Sequence, residues 1–235
     1  MQEAHAEPST WLAAAADHHA SLSELRRAAA GCRACELWKR GTQTVFGAGP
    51  SDALLVIVGE QPGDREDLRG QPFVGPAGAL LDRALAEAGL DPTRVYLTNA
   101  VKHFKWIARG KRRIHQHPSR NEVRACRPWL HAEIAAIAPR VVLCLGATAA
   151  QSLLGADFRV SVARGAAVAS PLAPFVTATV HPASIVRAPD ADRRRAVRRF
   201  VADLKRVAEW LGEDARREQQ VESDRAKPPS AGAKA

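Results

Sequence analysis

The chain has 235 residues, with 34 Lys and Arg against 25 Asp and Glu and a formal net charge of +9. That length holds one α/β domain with a sizeable core and is short for two, and the positive balance points to a polyanionic partner without saying which. No stretch reaches membrane-spanning length, and the start MQEAHAEPSTWLAAAADHH lacks a basic segment leading into an apolar run and a cleavage site, so no secretory signal is read and a cytoplasmic protein is expected.

In chain order, residues 1–20 are Ala- and His-rich and are expected to be a flexible segment ahead of a domain over residues 21–211. Residues 21–38 read as a helix broken at Gly31 and Cys32. Residues 53–58 are a continuous β-branched run ending in Gly59-Glu60-Gln61-Pro62-Gly63, the pattern of a buried parallel strand feeding a loop. A helix is expected over 76–88, stopped by Gly89 and Pro92, then a strand over 95–101 with Thr98 and Asn99 at its mouth. Helix 121–137, strand 140–145, helix 148–154, strand 175–180 running into His181-Pro182, and helix 192–211 complete the pattern. Residues 212–235 are polar and are expected to be a disordered tail. Strands alternate with helices, which predicts an α/β fold with a mostly parallel sheet covered on both faces.

Much of the surplus charge sits together. Residues 101–120 carry Lys102, Lys105, Arg109, Lys111, Arg112, Arg113 and Arg120 with no acid, bracketed by Gly110 and Pro118, and no helical apolar stripe runs through them. They read as a basic loop. Arg187 to Arg206 form a second basic run, diluted by acids, that is equally a solvated helix face.

Four cysteines fall as Cys32-x-x-Cys35, Cys126 and Cys144. Structural disulfides are rare in the cytoplasm, and a close pair plus two separated thiols can converge on one metal cluster. Zinc ribbons usually offer a second tight pair, which is missing. Cys144, inside Val-Val-Leu-Cys-Leu-Gly, also reads as an ordinary core residue.

Candidate chemistry gathers at strand ends. Glu60 is a candidate general base or orienting carboxylate, His181 a candidate polar group at a second strand end, and Asn99 offers an acceptor and two donors that match a pyrimidine edge. Phe73 can present a flat face to a base or simply pack in the core. A Glu or His alone in such a position is more often structural; three strand ends facing one crevice change that balance.

The ordered series GEQPGDRED, GQPFVGPAG, LTNAVKHFKW, GKRRIHQHPSR, ACRPWL, LGATAAQSLLG and TVHPASIVR closely resembles the family 4 uracil-DNA glycosylases over about residues 25–210. The GEQPG variant and the KRRIH segment are similar to the UdgX branch in particular. The resemblance implies a three-layer α/β/α fold around a four-stranded, mostly parallel sheet, and a [4Fe-4S] cluster on Cys32, Cys35, Cys126 and Cys144. It implies uracil flipped out of DNA, best from a single strand, stacked on Phe73 and read by Asn99.

His181 resembles the family histidine that donates to uracil O2 as the glycosidic bond breaks. In the UdgX branch the histidine of KRRIH, here His115, attacks C1′ and forms a lasting covalent adduct, with Glu60 orienting it or taking its proton. His117 is the rival nucleophile. Gln61 and Asp64 are expected to position the base or a water, and Glu66 to crowd a thymine methyl. Lys111, Arg112, Arg113 and Arg187 are expected at the DNA backbone, with Ile185 wedging toward the vacated stack; Ala183 replaces a family Ser, removing a hydroxyl contact to phosphate. The alternatives are a family 4 enzyme that turns over with water and a non-catalytic uracil-DNA-binding protein. A monomer is expected, with no membrane partner.

Overall fold

The computed structural model describes residues 20–226. Four strands, β1 (Leu55–Gly59), β2 (Val95–Asn99), β5 (Val141–Leu145) and β6 (Phe175–Thr179), form one parallel sheet in the order β2-β1-β5-β6. The expected strands are therefore found, each within two residues of its expected ends. Side chains alternate across a strand, and the two faces make two cores. Leu55, Ile57, Val141 and Leu143 pack on one side against helix α3 (Pro76–Glu87) and the last helix, α8 (Asp190–Ala226). Val56, Val58, Val142, Val176 and Ala178 face helices α4 (Arg120–Ile137) and α5 (Gly146–Leu154) on the other. Continuous apolar strands are what a sheet covered on both faces requires. The result is the three-layer α/β/α arrangement.

Helix α1 (Leu22–Ala29) begins with a capping box between Ser21 and Glu24 and stops before Cys32, the break expected there. A short 3-10 turn, Glu36–Lys39, follows. Helix α4 opens with a second capping box, Ser119 with Glu122. Short helices α2 (Asp64–Arg69), α6 (Val160–Ala163) and α7 (Pro182–Val186) lie in stretches where none was expected.

Two expectations are corrected here. The basic loop is an antiparallel hairpin, β3 (Trp106–Arg109) with β4 (Arg112–His115), turning at Gly110 with φ 59°, a left-handed conformation that favours glycine. Helix α8 does not stop at Leu211 but continues to Ala226. Between Glu213 and Ala226 the sequence holds no Gly or Pro and is rich in Glu, Arg, Gln and Ala, so propensity alone extends the helix. Residues 1–19 and 227–235, where the flexible segment and the end of the tail were expected, lie outside the described residues.

Beneath the sheet edge, Lys102 and Glu133 form a fully buried ion pair. Glu133 also accepts from Tyr96 Oη (2.9 Å), Thr98 Oγ1 and the Gly47 amide, while Lys102 Nζ donates to Thr98 Oγ1 (2.7 Å) and the Asn99 carbonyl (3.0 Å). Removing one partner of such a pair strands a buried charge at a cost of about 3–5 kcal/mol. Burial, reinforced by Glu133, pushes the Tyr96 phenol well above its usual range, so it stays a donor. The network fixes the end of β2.

Candidate active site

Because the four strands are parallel, their carboxyl ends open on the same edge, the usual place for a site in such sheets. Glu60 follows β1, Asn99 ends β2, Thr148 lies two residues past the start of α5 after β5, and His181 follows β6. A cleft of about 800 Å³ opens there, lined among others by Glu60, Phe73, Asn99, His115, His181 and Arg187. The sequence-expected strand-end residues thus share one cavity.

Gly59 decides how closely its neighbours approach. The β1–β2 register sets Gly59 beside Asn99, and a Cβ at Gly59 would lie 2.3 Å from Asn99 Oδ1 and 2.7 Å from Phe73 Cζ. Any larger residue would push apart the amide and the ring. Phe73 itself has φ 57°, a strained conformation for a bulky side chain that costs about 1–3 kcal/mol and persists only where surroundings impose it. Gly78 of α3 allows this, since a Cβ there would meet the Phe73 carbonyl at 1.6 Å. The Phe73 ring faces His181, centroids 6.3 Å apart and 20° from parallel.

His181 is the N-cap of α7, its Nδ1 accepting from the Ala183 amide at 3.1 Å. In the neutral ring the proton is therefore on Nε2. Burial pushes the imidazole down to about 4, with Glu60 opposing and Arg187 and His115 reinforcing the shift. Across the neutral pH range His181 is an uncharged donor of fixed tautomer.

Glu60 is largely covered and has three polar neighbours. Thr148 Oγ1 donates to its Oε2 at 2.6 Å, while Oε1 lies 3.0 Å from His117 Nδ1 and 3.4 Å from His115 Nε2. His115, at the end of β4, is 42% exposed and sits beside Phe104; His117 is at the rim, 81% exposed. Burial holds the His115 imidazole below its usual 6.5, against the pull of Glu60 and with the help of His117 and Arg187. Thr148 escaped the sequence reading, although its place just after an apolar strand is the signal that marked Glu60 and His181.

Several expected roles are corrected by contacts. Gln61 lines the cleft, but its side-chain amide is bonded to the hairpin's flanks, donating to the carbonyls of Gln116 (2.9 Å) and Lys105 (3.3 Å) and accepting from the Lys105 amide. Arg113 is not free for phosphate, because its guanidinium bridges Asp64 (2.5 Å) and buried Asp67 (2.5 Å) and lies over Phe104 and Trp106. Asp64 is accordingly occupied as Arg113's partner. Glu66 lines the cleft and accepts from the Gly75 amide at the start of α3 (2.7 Å). Ile185 is 2% exposed within the core, so it cannot wedge into DNA. The basic stretch is also less basic than it reads: Lys102 is paired with Glu133, Lys105 with Glu122, and Arg113 with the two aspartates. Lys111 and Arg112 remain exposed at the hairpin turn, and Arg187 at the cleft.

Residues 46–205 match the family model for the uracil DNA glycosylase superfamily. The chain belongs to that superfamily. Relatives include a type-4 uracil-DNA glycosylase of Archaeoglobus fulgidus, 42% identical over 131 residues (56% of this chain, 62% of that protein). One from Sulfurisphaera tokodaii is 36% identical over 127 residues (54% of each chain). A third, from Thermotoga maritima, is 36% identical over 167 residues (71% of this chain, 83% of that protein). The chain thus spans less than two thirds of the two archaeal relatives.

In this superfamily member the cysteines divide three to one. Cys35 packs against Cys126, and Cys32 packs against Trp129 of the same helix α4, whereas Cys144 belongs to the sheet core. Cys144 lies on β5 within the sheet core among Val58, Ala149 and Ala178, which sets it apart from the other three cysteines of the expected set. Consecutive strand residues point to opposite faces, and Cys144 points under α4 and α5 rather than toward the corner of Cys126. Two N–H groups address the converging sulfurs: the Lys102 amide donates to Cys126 (3.4 Å) and Trp129 Nε1 to Cys32 (3.3 Å). Such bonds accompany sulfur-ligated clusters and tune them, so the corner fits one. Next to Lys102 is His103, buried and bonded through Nε2 to Thr44 Oγ1 (3.0 Å), a hydroxyl that also donates to the Ala29 carbonyl. Cys32 N bonds that same carbonyl, so His103 is tied into the same corner. Burial keeps its imidazole below the usual value and hence neutral, as a metal ligand must be.

Proposed function

We propose that this chain is a uracil-DNA glycosylase of the UdgX kind, which frees uracil from DNA and bonds the resulting sugar to His115. The observation carrying the proposal is that His115 and Glu60, 3.4 Å apart, share a cleft with Phe73, Asn99 and His181. Uracil stacks on Phe73 in the cleft and meets the Asn99 amide, held against it by Gly59. As the C1′–N1 bond lengthens, its electron pair passes to the base and accumulates at O2, where the neutral Nε2–H of His181 donates. The sugar gains positive character beside Glu60, and the unprotonated nitrogen of His115 supplies the electron pair that forms the new bond to C1′. Alkylation leaves a cationic ring whose remaining proton is shared with Glu60. An alkylated imidazole is a poor leaving group, so the enzyme stops after one turnover.

Single-stranded DNA is the favoured substrate, since extruding an unpaired base costs least. Lys111 and Arg112 at the hairpin turn and Arg187 at the cleft supply phosphate contacts. A uracil-containing oligonucleotide incubated with the protein and run on an SDS denaturing gel tests the reading. A retarded band that survives SDS is expected. Abasic product in excess of enzyme would instead mean turnover with water, and intact uracil DNA would mean binding without chemistry.

The nucleophile must be the neutral ring, so acid removes it. His115 is held below 6.5, and the single-turnover rate of adduct formation is expected to fall as pH drops through the lowered value and to level off on its alkaline side. Rates measured between about pH 5 and 8 check this; an acid limb centred above 6.5 contradicts it.

An iron-sulfur cluster is proposed on Cys32, Cys35 and Cys126, with His103 completing the set. It would supply a structural tie between α1, α4 and the end of β2, with no electron transfer needed for glycosidic cleavage. Cys126→Ala and His103→Ala are expected to lose or labilise iron, and Cys144→Ala to retain it. Iron and sulfide content together with the broad visible absorbance decide the matter; loss of iron in Cys144→Ala with retention in His103→Ala would reverse the assignment.

A further inference from the structure

His115 and His117 flank Gln116 on an extended segment, so the two imidazoles project to one side. Both meet the same carboxylate. Glu60 Oε1 is 3.0 Å from His117 Nδ1 and 3.4 Å from His115 Nε2, and the donor atoms of all three residues lie within 4.8 Å of one another. A tetrahedral zinc ion, with bonds of about 2.0–2.1 Å, separates its donors by roughly 3.3–3.4 Å. The present spacing needs only small side-chain rotations to fit.

The rest of the arrangement suits a metal too. Two imidazoles and a carboxylate with an open fourth position form a familiar zinc donor set. Thr148 Oγ1 holds Glu60 Oε2 at 2.6 Å and leaves Oε1 directed at the two rings, the kind of outer bond that orients a ligating carboxylate. His117 is 81% exposed, which gives an ion its way in. An exposed Glu–His pair is worth only about 0–1 kcal/mol and needs one imidazole; here two converge on one oxygen.

We propose that Glu60, His115 and His117 bind a divalent transition-metal ion of the zinc class, and that occupancy masks His115 against DNA. The bound ion fixes the His115 ring to Glu60 and sets two positive charges beside the carbon where positive charge must develop. Both effects oppose adduct formation. The binding half stands apart from the glycosylase reading; the masking half rests on it.

The test begins without DNA. Zinc is titrated calorimetrically into iron-loaded wild-type protein, His117→Ala and Thr148→Val. One zinc site per chain is expected in the wild type, at least tenfold weaker in His117→Ala and measurably weaker in Thr148→Val. Equal affinity in wild type and His117→Ala would overturn the site, since the zinc would then be held elsewhere, at thiols for example. Adduct formation on a uracil oligonucleotide is then followed with and without zinc. A slowing of at least tenfold, reversed by EDTA and absent in His117→Ala, is the expected mask. Zinc that binds through His117 yet leaves the rate unchanged would overturn the masking. A wild type that releases uracil without an adduct would sink the covalent reading alone, because the calorimetry judges the metal site independently.

Discussion

Replacing His115 with alanine is expected to abolish the SDS-resistant band completely while uracil is still released. In the proposed reaction His181, Asn99 and Phe73 act on the base and are untouched by the substitution, and Glu60 remains in the cleft with Thr148 bound to it. A methyl group in place of the ring leaves room for water beside that carboxylate. With no imidazole to trap the sugar, abasic product is expected to accumulate beyond the amount of enzyme. His117→Ala is the necessary companion. His117 lies nearer Glu60, 3.0 Å against 3.4 Å, but at the rim and 81% exposed, so its removal is expected to leave the band intact. A band that persists without His115, or vanishes without His117, would exchange their roles and overturn the proposed chemistry.

The second large effect is at His181. Its Nδ1 is occupied by the Ala183 amide and its charge is suppressed by burial, so what it offers is a single aimed N–H. Deleting such a donor typically slows a reaction by about 10²–10³. His181→Ala is therefore expected to reduce the single-turnover rate of uracil release by about 10²–10³ while binding to uracil-containing DNA weakens far less. Quenched-flow rates and filter binding separate the two. His181→Asn, which keeps an amide donor at the helix cap, is expected to recover part of the loss. A drop of less than tenfold in His181→Ala would remove the residue from the proposed transition state.

The cleft was more legible in the sequence than its surroundings. Glu60, Asn99 and His181 stand directly at or after strands whose apolar runs are unmistakable, and parallel strands put such positions on one edge whatever the details of packing. Phe73 reads as a candidate stacking face and His115 follows from motif order, and both line the cleft. Contacts with partners far away in the chain are not legible in this way. Arg113 counted as a phosphate contact because no acid lies nearby in sequence, yet its partners are Asp64 and Asp67, 49 and 46 residues away. Lys102, which reads as part of a basic loop, is the buried mate of Glu133. Ile185 is expected near DNA because the family resemblance of its motif implies it, whereas α7 turns it into the core.

What the sequence determined by itself was the succession of strands and helices, the parallel α/β class, and the carboxyl-end crevice with Glu60, Asn99 and His181 around it. Periodicity and capping act over a few residues, so they survive in one dimension. The tertiary structure alone decided which charges neutralise one another, that Cys35 packs on Cys126 while Cys144 lies in the sheet core, and that His117 joins His115 at Glu60. Those outcomes depend on contacts between segments far apart in the chain, and on which face a side chain takes, quantities set by packing rather than by neighbours in sequence.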